Sequence, residues 1–379
     1  MRISRRKFAQ ILGATAAAAV ARPALSSARA TEPKSPARTE SGIVRLSANE
    51  NPYGPSPRGI EAMKNGFSIA CRYPDRHADE LVDALASLNG VPREQILLGD
   101  GSGEILKLAA DVFTGPETAQ RKPGGRLVVA DPTFEAILYH AQRNGAEVIK
   151  VPLTADYGHD LQKMLAAVKG GLVYVCNPNN PTASITPKEE VRDFIARLPN
   201  DTMVLVDEAY YHYVDSPDYE SVIPMVKDHP NLIVARTFSK IYGMAGLRCG
   251  YAVAQSYTIE RLRERQSWDS LNIMAIVAAA ASLKDSDQVT DGRRLNAEAR
   301  AFTVGELEKM GYKTIPSQAN FIMFDAKRPV VPLILTLKHR QIEVGRLFHP
   351  MPNHLRLTIG KKAEMEAFLR TFREITAPA

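Results

Sequence analysis

The chain has 379 residues, of which 45% are hydrophobic and 24% charged. That is the composition of an ordinary folded protein, not a fibrous or disordered one, at a length suited to two or three domains. The net charge of +6 comes entirely from the first 30 residues, which hold Arg2, Arg5, Arg6, Lys7, Arg22 and Arg29 and no acid; the remainder balances 42 basic against 42 acidic residues, which argues against a general nucleic-acid face.

The basic start reads as an export signal. Ser4-Arg5-Arg6-Lys7-Phe8 resembles the twin-arginine motif, an Ala-rich weakly apolar stretch follows, and Ala28-Arg29-Ala30 is a small-x-small cleavage site. The expected division is a signal over 1–30, with a mature start near Thr31 and a periplasmic location; a basic tail on a cytoplasmic protein is the alternative. Residues 31–41, polar with two prolines, read as a flexible leader. No apolar run in the chain reaches the ~20 residues that span a membrane. Three cysteines (Cys71, Cys176, Cys249), widely spaced, favour neither a disulfide framework nor a zinc site and read as buried small hydrophobes.

From Gly42 onward, strands and helices alternate. Leu81, Leu85 and Leu88 recur at helical spacing, as do Ile105, Leu108 and Val112. Between such helices lie short apolar runs at 127–130, 148–153, 172–176, 203–206 and 232–234. They are apolar on successive residues, as strands buried on both faces of a parallel sheet are. The fold class is therefore α/β, a wide sheet covered by helices. A helix at 274–283 closes the large domain, a charge-rich region follows at 285–300, and a smaller α+β part ends the chain with strands near 320–324 and 354–359 and a final helix carrying Met365, Phe368, Leu369, Phe372 and Ile375. The expected boundaries are 42–70 for an N-terminal arm with part of the small domain, 71–284 for the large domain and 285–379 for the small one.

Ligands of open α/β sheets bind beyond the carboxyl ends of the strands. There the sequence puts Asp131-Pro132-Thr133-Phe134, Asn177-Pro178-Asn179-Asn180-Pro181-Thr182, Asp207-Glu208-Ala209-Tyr210 and Arg236-Thr237-Phe238-Ser239-Lys240. Singly, each has a bland explanation such as a cap or a turn; together at one rim they point to chemistry. Gly99-Asp100-Gly101-Ser102-Gly103-Glu104 ahead of a helical run is an anion site or a tight turn. It is not a dinucleotide fingerprint, because Glu104 stands where the third glycine belongs.

These motifs, in this order, resemble the fold-type I pyridoxal-phosphate (PLP) aminotransferases, most closely the histidinol-phosphate aminotransferase branch. The likeness runs from Ile43 almost to the end and includes Leu46-Ser47-Ala48-Asn49-Glu50-Asn51-Pro52-Tyr53-Gly54, Arg72-Tyr73-Pro74 and Leu355-Arg356-Leu357-Thr358-Ile359-Gly360. It implies a mostly parallel, seven-stranded type of sheet in a large domain, a smaller α+β domain, and a homodimer with shared sites. By resemblance, Lys240 binds the cofactor covalently and acts as the base, Asp207 faces the pyridine nitrogen, and Asn180 and Tyr210 donate to the phenolic oxygen. Phe134 stacks on the ring; Ser102, Gly103, Ser239 and Arg248 hold the phosphate, with Tyr73 reaching the neighbouring subunit's. Arg356 grips a substrate's acidic group, beside Asn49. Arg346 occupies the place of a second substrate arginine, but its surroundings, Val344-Gly345-Arg346-Leu347-Phe348, depart from the family's pattern and a solvated arginine fits equally. Ala183 replaces the usual glycine after Asn-Pro-Thr, a strained choice if that position needs positive φ. The implied reaction transfers nitrogen from a small amino donor to a keto acid such as 2-oxoglutarate. A decarboxylase or lyase on the same scaffold is the first alternative, and a non-catalytic PLP-binding protein is the second.

Overall fold

The computed structural model describes residues 42–115 and 125–377; the signal and leader expected over 1–41 lie outside these. Seven strands form the central sheet: β2 (Ile96–Gly99), β3 (Arg126–Asp131), β4 (Glu147–Pro152), β5 (Gly171–Cys176), β6 (Thr202–Asp207), β7 (Leu232–Thr237) and β8 (Gly250–Ala254), in the order β2-β8-β7-β6-β5-β3-β4. β8 alone runs opposite to the other six strands. The sheet is thus mostly parallel, as expected.

Helices cover both faces, which is why β5 to β8 carry apolar residues on both sides. One face packs Val173, Val175, Val204 and Val206 with Leu81 and Leu85; the other packs Leu172, Tyr174 and Leu205 with Ile105 and Leu108. Removing each such aliphatic side chain from water contributes ~1.5–3 kcal/mol.

Three expectations need correction. The run at 148–153 is not buried on both faces: β4 is an edge strand, and only Val151 within it is buried. Leu88 is exposed although its spacing puts it on the side of Leu81 and Leu85, because it stands in the last turn of the helix Asp75–Asn89, at the end of the buried stripe. Cys71 is exposed, while Cys176 and Cys249 are buried.

The C-terminal part has its own core, where Phe324, Phe368 and Phe372 pack with Leu355 and Leu357. Two small sheets frame it: β9 (Phe321–Asp325) pairs antiparallel with β11 (His354–Thr358), and β1 (Val44–Leu46) pairs parallel with β10 (Ile342–Val344). The last pairing ties the start of the described chain to this end. The segment 47–56 therefore passes from β1 to the helix Pro57–Gly66, which packs on Ile273–Leu283 through the contact of Gly59 with Ser282. The charge-rich region is a 24-residue helix, Ser286–Lys309. Among the described residues, no helix is long and apolar enough to cross a membrane.

Candidate active site

The carboxyl ends of β2, β3, β5, β6 and β7 converge on one cavity of about 300 Å³. Its lining includes Ser102, Gly103, Phe134, Asn180, Asp207, Tyr210, Ser239, Lys240 and Arg248; Asn49, Arg346 and Arg356 complete the wall from the other elements. Of the residues to which the resemblance gives a cofactor or substrate role, Tyr73 alone is not brought there and is 80% exposed.

Asp207 ends β6 and is buried. Its carboxylate accepts hydrogen bonds from the Tyr174 hydroxyl at 2.9 Å and the Ala209 amide at 3.1 Å. Burial pushes its pKa up to about 6, against the opposing pull of those two donors and of Lys240. Lys240 follows β7 and is half-buried, with its ammonium donating to the Asn49 carbonyl at 3.0 Å. Desolvation, then the Arg356 charge, brings its pKa down to about 8. A lysine that releases its proton near neutrality is a nucleophile and a base.

An anion cradle lies at one end. The helix Gly101–Phe113 starts there with no side chain capping its first turn, so its leading amides are available to a negative group. Arg248 approaches from the far side, donating to Ser239 Oγ at 3.4 Å and to the Asp100 carbonyl at 3.3 Å. Two glycines permit this approach. A Cβ at Gly101, where φ is +70°, would strike the Arg248 guanidinium, and one at Gly250 would strike the Ser102 amide.

At the other wall, Asn49 is buried in a left-handed conformation with φ 54°, a region asparagine tolerates better than most residues. Its amide donates to the Tyr210 hydroxyl at 3.1 Å, and it accepts from Thr358 Oγ1 at 3.2 Å. Arg356 on β11 donates to Asn180 Oδ1 at 2.8 Å and to the Ser47 carbonyl at 2.6 Å. No acidic side chain among the described residues pairs with it, its Nε has no hydrogen-bond partner, and burial lowers its pKa to about 10. Arg346 is half in solvent, ion-paired with Glu135 at 2.6 Å and set over the Phe348 ring. Ala183 does take positive φ, at 63°, fully buried beneath the Asn179–Thr182 turn; its Cβ costs on the order of 1 kcal/mol there.

The sequence reading gives no role to Tyr174, and names Thr237 and Phe348 only as neighbours of Ser239 and Arg346. Tyr174 carried a usable signal: a phenol inside an otherwise apolar strand needs a partner. Thr237 Oγ1 donates to Ser239 Oγ and fixes its direction, while Phe348 reaches the cavity only through the folding of the C-terminal part.

The donor set suits pyridoxal phosphate: a cradle for a dianion, a carboxylate across the cavity, an aromatic side wall, and a lysine of lowered pKa. Comparison with known proteins agrees. Residues 41–372 match the family described as Aminotransferase class I and II. The chain is 38% identical to histidinol-phosphate aminotransferase of Moorella thermoacetica, covering 88% of this chain and 86% of that one, and 37% identical to the protein of that name from Symbiobacterium thermophilum, covering 87% and 90%. The structure of histidinol-phosphate aminotransferase from Sinorhizobium meliloti, solved with pyridoxal-5'-phosphate, superposes with a TM-score of 0.81 at 27% identity, covering 88% and 92%. L-threonine-O-3-phosphate decarboxylase from Porphyromonas gingivalis superposes at 0.74 and 22% identity, covering 88% and 99%, a likeness of fold alone. The chain belongs to the class I and II aminotransferases and is a PLP-dependent aminotransferase.

Proposed function

We propose that the enzyme takes nitrogen from a donor of the histidinol-phosphate kind, or from an aromatic amino acid, and delivers it to a keto acid such as 2-oxoglutarate. Arg356 carries this reading. It is a buried cation facing the cavity, without an acidic partner among the described residues and with a free Nε. An uncompensated buried charge is costly, and an incoming carboxylate or phosphate would compensate it through a fork of charge-assisted hydrogen bonds. Arg346 offers a second cation to an acidic group that displaces Glu135, and Phe134 with Phe348 offers apolar wall to an imidazole or phenyl ring.

When bound, pyridoxal phosphate supplies a ring that withdraws the electron pair left at the substrate's Cα once its proton is gone. Lys240 would hold the cofactor and, once freed, carry the Cα proton as general base and acid. Asp207 would keep a proton on the ring nitrogen; Asn180 and Tyr210 would hold the phenolic oxygen; Phe134 would cover the ring. Ser102, Gly103, Ser239 and Arg248 would bind the phosphate.

Tyr73, exposed and outside its own chain's cavity, supports a homodimer in which it serves the partner's phosphate site. The Arg5-Arg6 motif supports export by the twin-arginine route to the periplasm. Relatives and leader favour different donors, since an exported enzyme is removed from a cytoplasmic biosynthetic intermediate. A single-turnover comparison separates them: loaded enzyme without keto acid is mixed with histidinol phosphate, phenylalanine or tyrosine, and decay of the visible band is timed. Histidinol phosphate reacting at least about ten-fold faster, a 1.4 kcal/mol preference, supports the phosphorylated donor; a faster aromatic amino acid replaces it.

A further inference from the structure

Tyr174 lies in the middle of β5, fully buried. Its strand neighbour in β6 is Leu205, and Asp207 is two residues further along, opposite Cys176. Two-residue periodicity puts Tyr174, Cys176, Leu205 and Asp207 on one face of the sheet. The phenol therefore reaches diagonally along that face to Asp207 Oδ2 at 2.9 Å. A buried hydroxyl has to be satisfied, but leucine or phenylalanine would fill the same strand position without that need. What distinguishes tyrosine here is the hydrogen it presents to a carboxylate that lines the cavity.

We infer that Tyr174 is a positioning residue: its hydroxyl holds Asp207 ionised and aimed into the cavity, so that the proton shared between Asp207 and the cofactor's pyridine nitrogen stays on the nitrogen. This rests on the reading that Asp207 faces that nitrogen. A carboxylate in a dry site drifts toward its neutral acid, and a neutral Asp207 has no charge to pair with a protonated ring. The hydroxyl opposes this drift by bonding to the charged form. The Ala209 amide assists on Oδ1. The other groups facing Asp207 are Lys240, which also favours its charge, and Glu208, Cys176 and Tyr210, which couple to it as like or potential negative charges. Glu208 is itself neutralised by Arg236 at 2.8 Å. Tyr174 is therefore the strongest influence against burial.

The sign follows. A depressing donor is removed in Tyr174→Phe, so Asp207 takes up its proton at higher pH and the ion pair with the ring is lost sooner on acidification. The test is equilibrium dialysis of pyridoxal phosphate from the full-length enzyme between pH 5 and 8. For Tyr174→Phe the acid limb of cofactor affinity should move up by roughly one pH unit, about ten-fold weaker binding within that limb, with affinity at pH 8 nearly unchanged. Incorporation of 3-fluorotyrosine at 174, a stronger donor of nearly the same shape, should move the limb down and remains informative if the phenylalanine variant fails to fold. A uniform loss of affinity at every pH, or a limb unmoved by either change, would overturn the inference and leave Tyr174 as packing. A cofactor analogue with carbon in place of the ring nitrogen tests the premise separately: if wild-type enzyme shows the same acid limb with it, Asp207 does not pair with that nitrogen.

Discussion

Lys240 and Arg356 share one cavity, and each sets the other's chemistry. The Arg356 charge is the second cause, after burial, of the Lys240 pKa falling to about 8. Because the depressed value makes the neutral amine available above about 8 instead of above its ordinary 10.5, the rate at which cofactor-free enzyme takes up pyridoxal phosphate should rise with pH to a half-maximum near 8. Arg356→Gln should move that midpoint upward in stopped-flow absorbance and, by removing the anion fork, raise KM for 2-oxoglutarate by roughly 10–100-fold. Arg356→Lys should not restore it, because an ammonium cannot reproduce the planar fork. Lys240→Ala should lower turnover more than about a thousand-fold with folding intact by circular dichroism; near-normal turnover would remove Lys240 from the mechanism.

Elements decide how closely those residues meet. The cradle at the start of the helix Gly101–Phe113 exists because β8 presents Gly250 to the Ser102 amide. Gly250→Ala should push that turn off the sheet, destabilising the fold by about 1–3 kcal/mol as overpacking does and weakening cofactor affinity. Thermal melts with and without cofactor measure both, and an unchanged melt with unchanged affinity would show that the turn yields freely. The same scale explains what could be read from sequence. Strands buried on both faces announce themselves as continuous apolar runs, and their carboxyl ends pointed to Asp207, Asn180 and Lys240. The edge strand β4 has only one well-buried residue, and Lys150, the one charge inside these apolar runs, was the letter that marked it. β1 and β10 have three residues each, too few for a period to show. The helix Ser286–Lys309 was hidden for another reason: its buried stripe is Asn296, Ala299, Thr303 and Leu307, correctly spaced but small or polar at three of four positions, so charge dominated the reading. The phenol of Tyr174 signals the need for a partner but not that the partner is an aspartate on the next strand, and the place of Phe348 depends on a cavity assembled from the far end of the chain.

Across the whole molecule, the family fixes the cofactor and the reaction class, while assembly, location and donor are tested by experiment. If Tyr73 completes a partner's site, sedimentation should give twice the chain's mass, and Tyr73→Phe should weaken cofactor binding without dissociating the pair; a monomer with full activity would contradict shared sites. If the leader works as proposed, protein from the periplasm should begin near Thr31, and changing both Arg5 and Arg6 to Lys should retain it in the cytoplasm. The central claim, reversible transfer of nitrogen between donor and keto acid on the cofactor that Lys240 holds, has a direct test. Loaded enzyme is treated with excess donor until its visible band is lost, the donor is removed, and 2-oxoglutarate is added. The account predicts that the band returns and that one glutamate forms per site. Loss of the band with release of carbon dioxide, or a band that 2-oxoglutarate and other keto acids fail to restore, would contradict it.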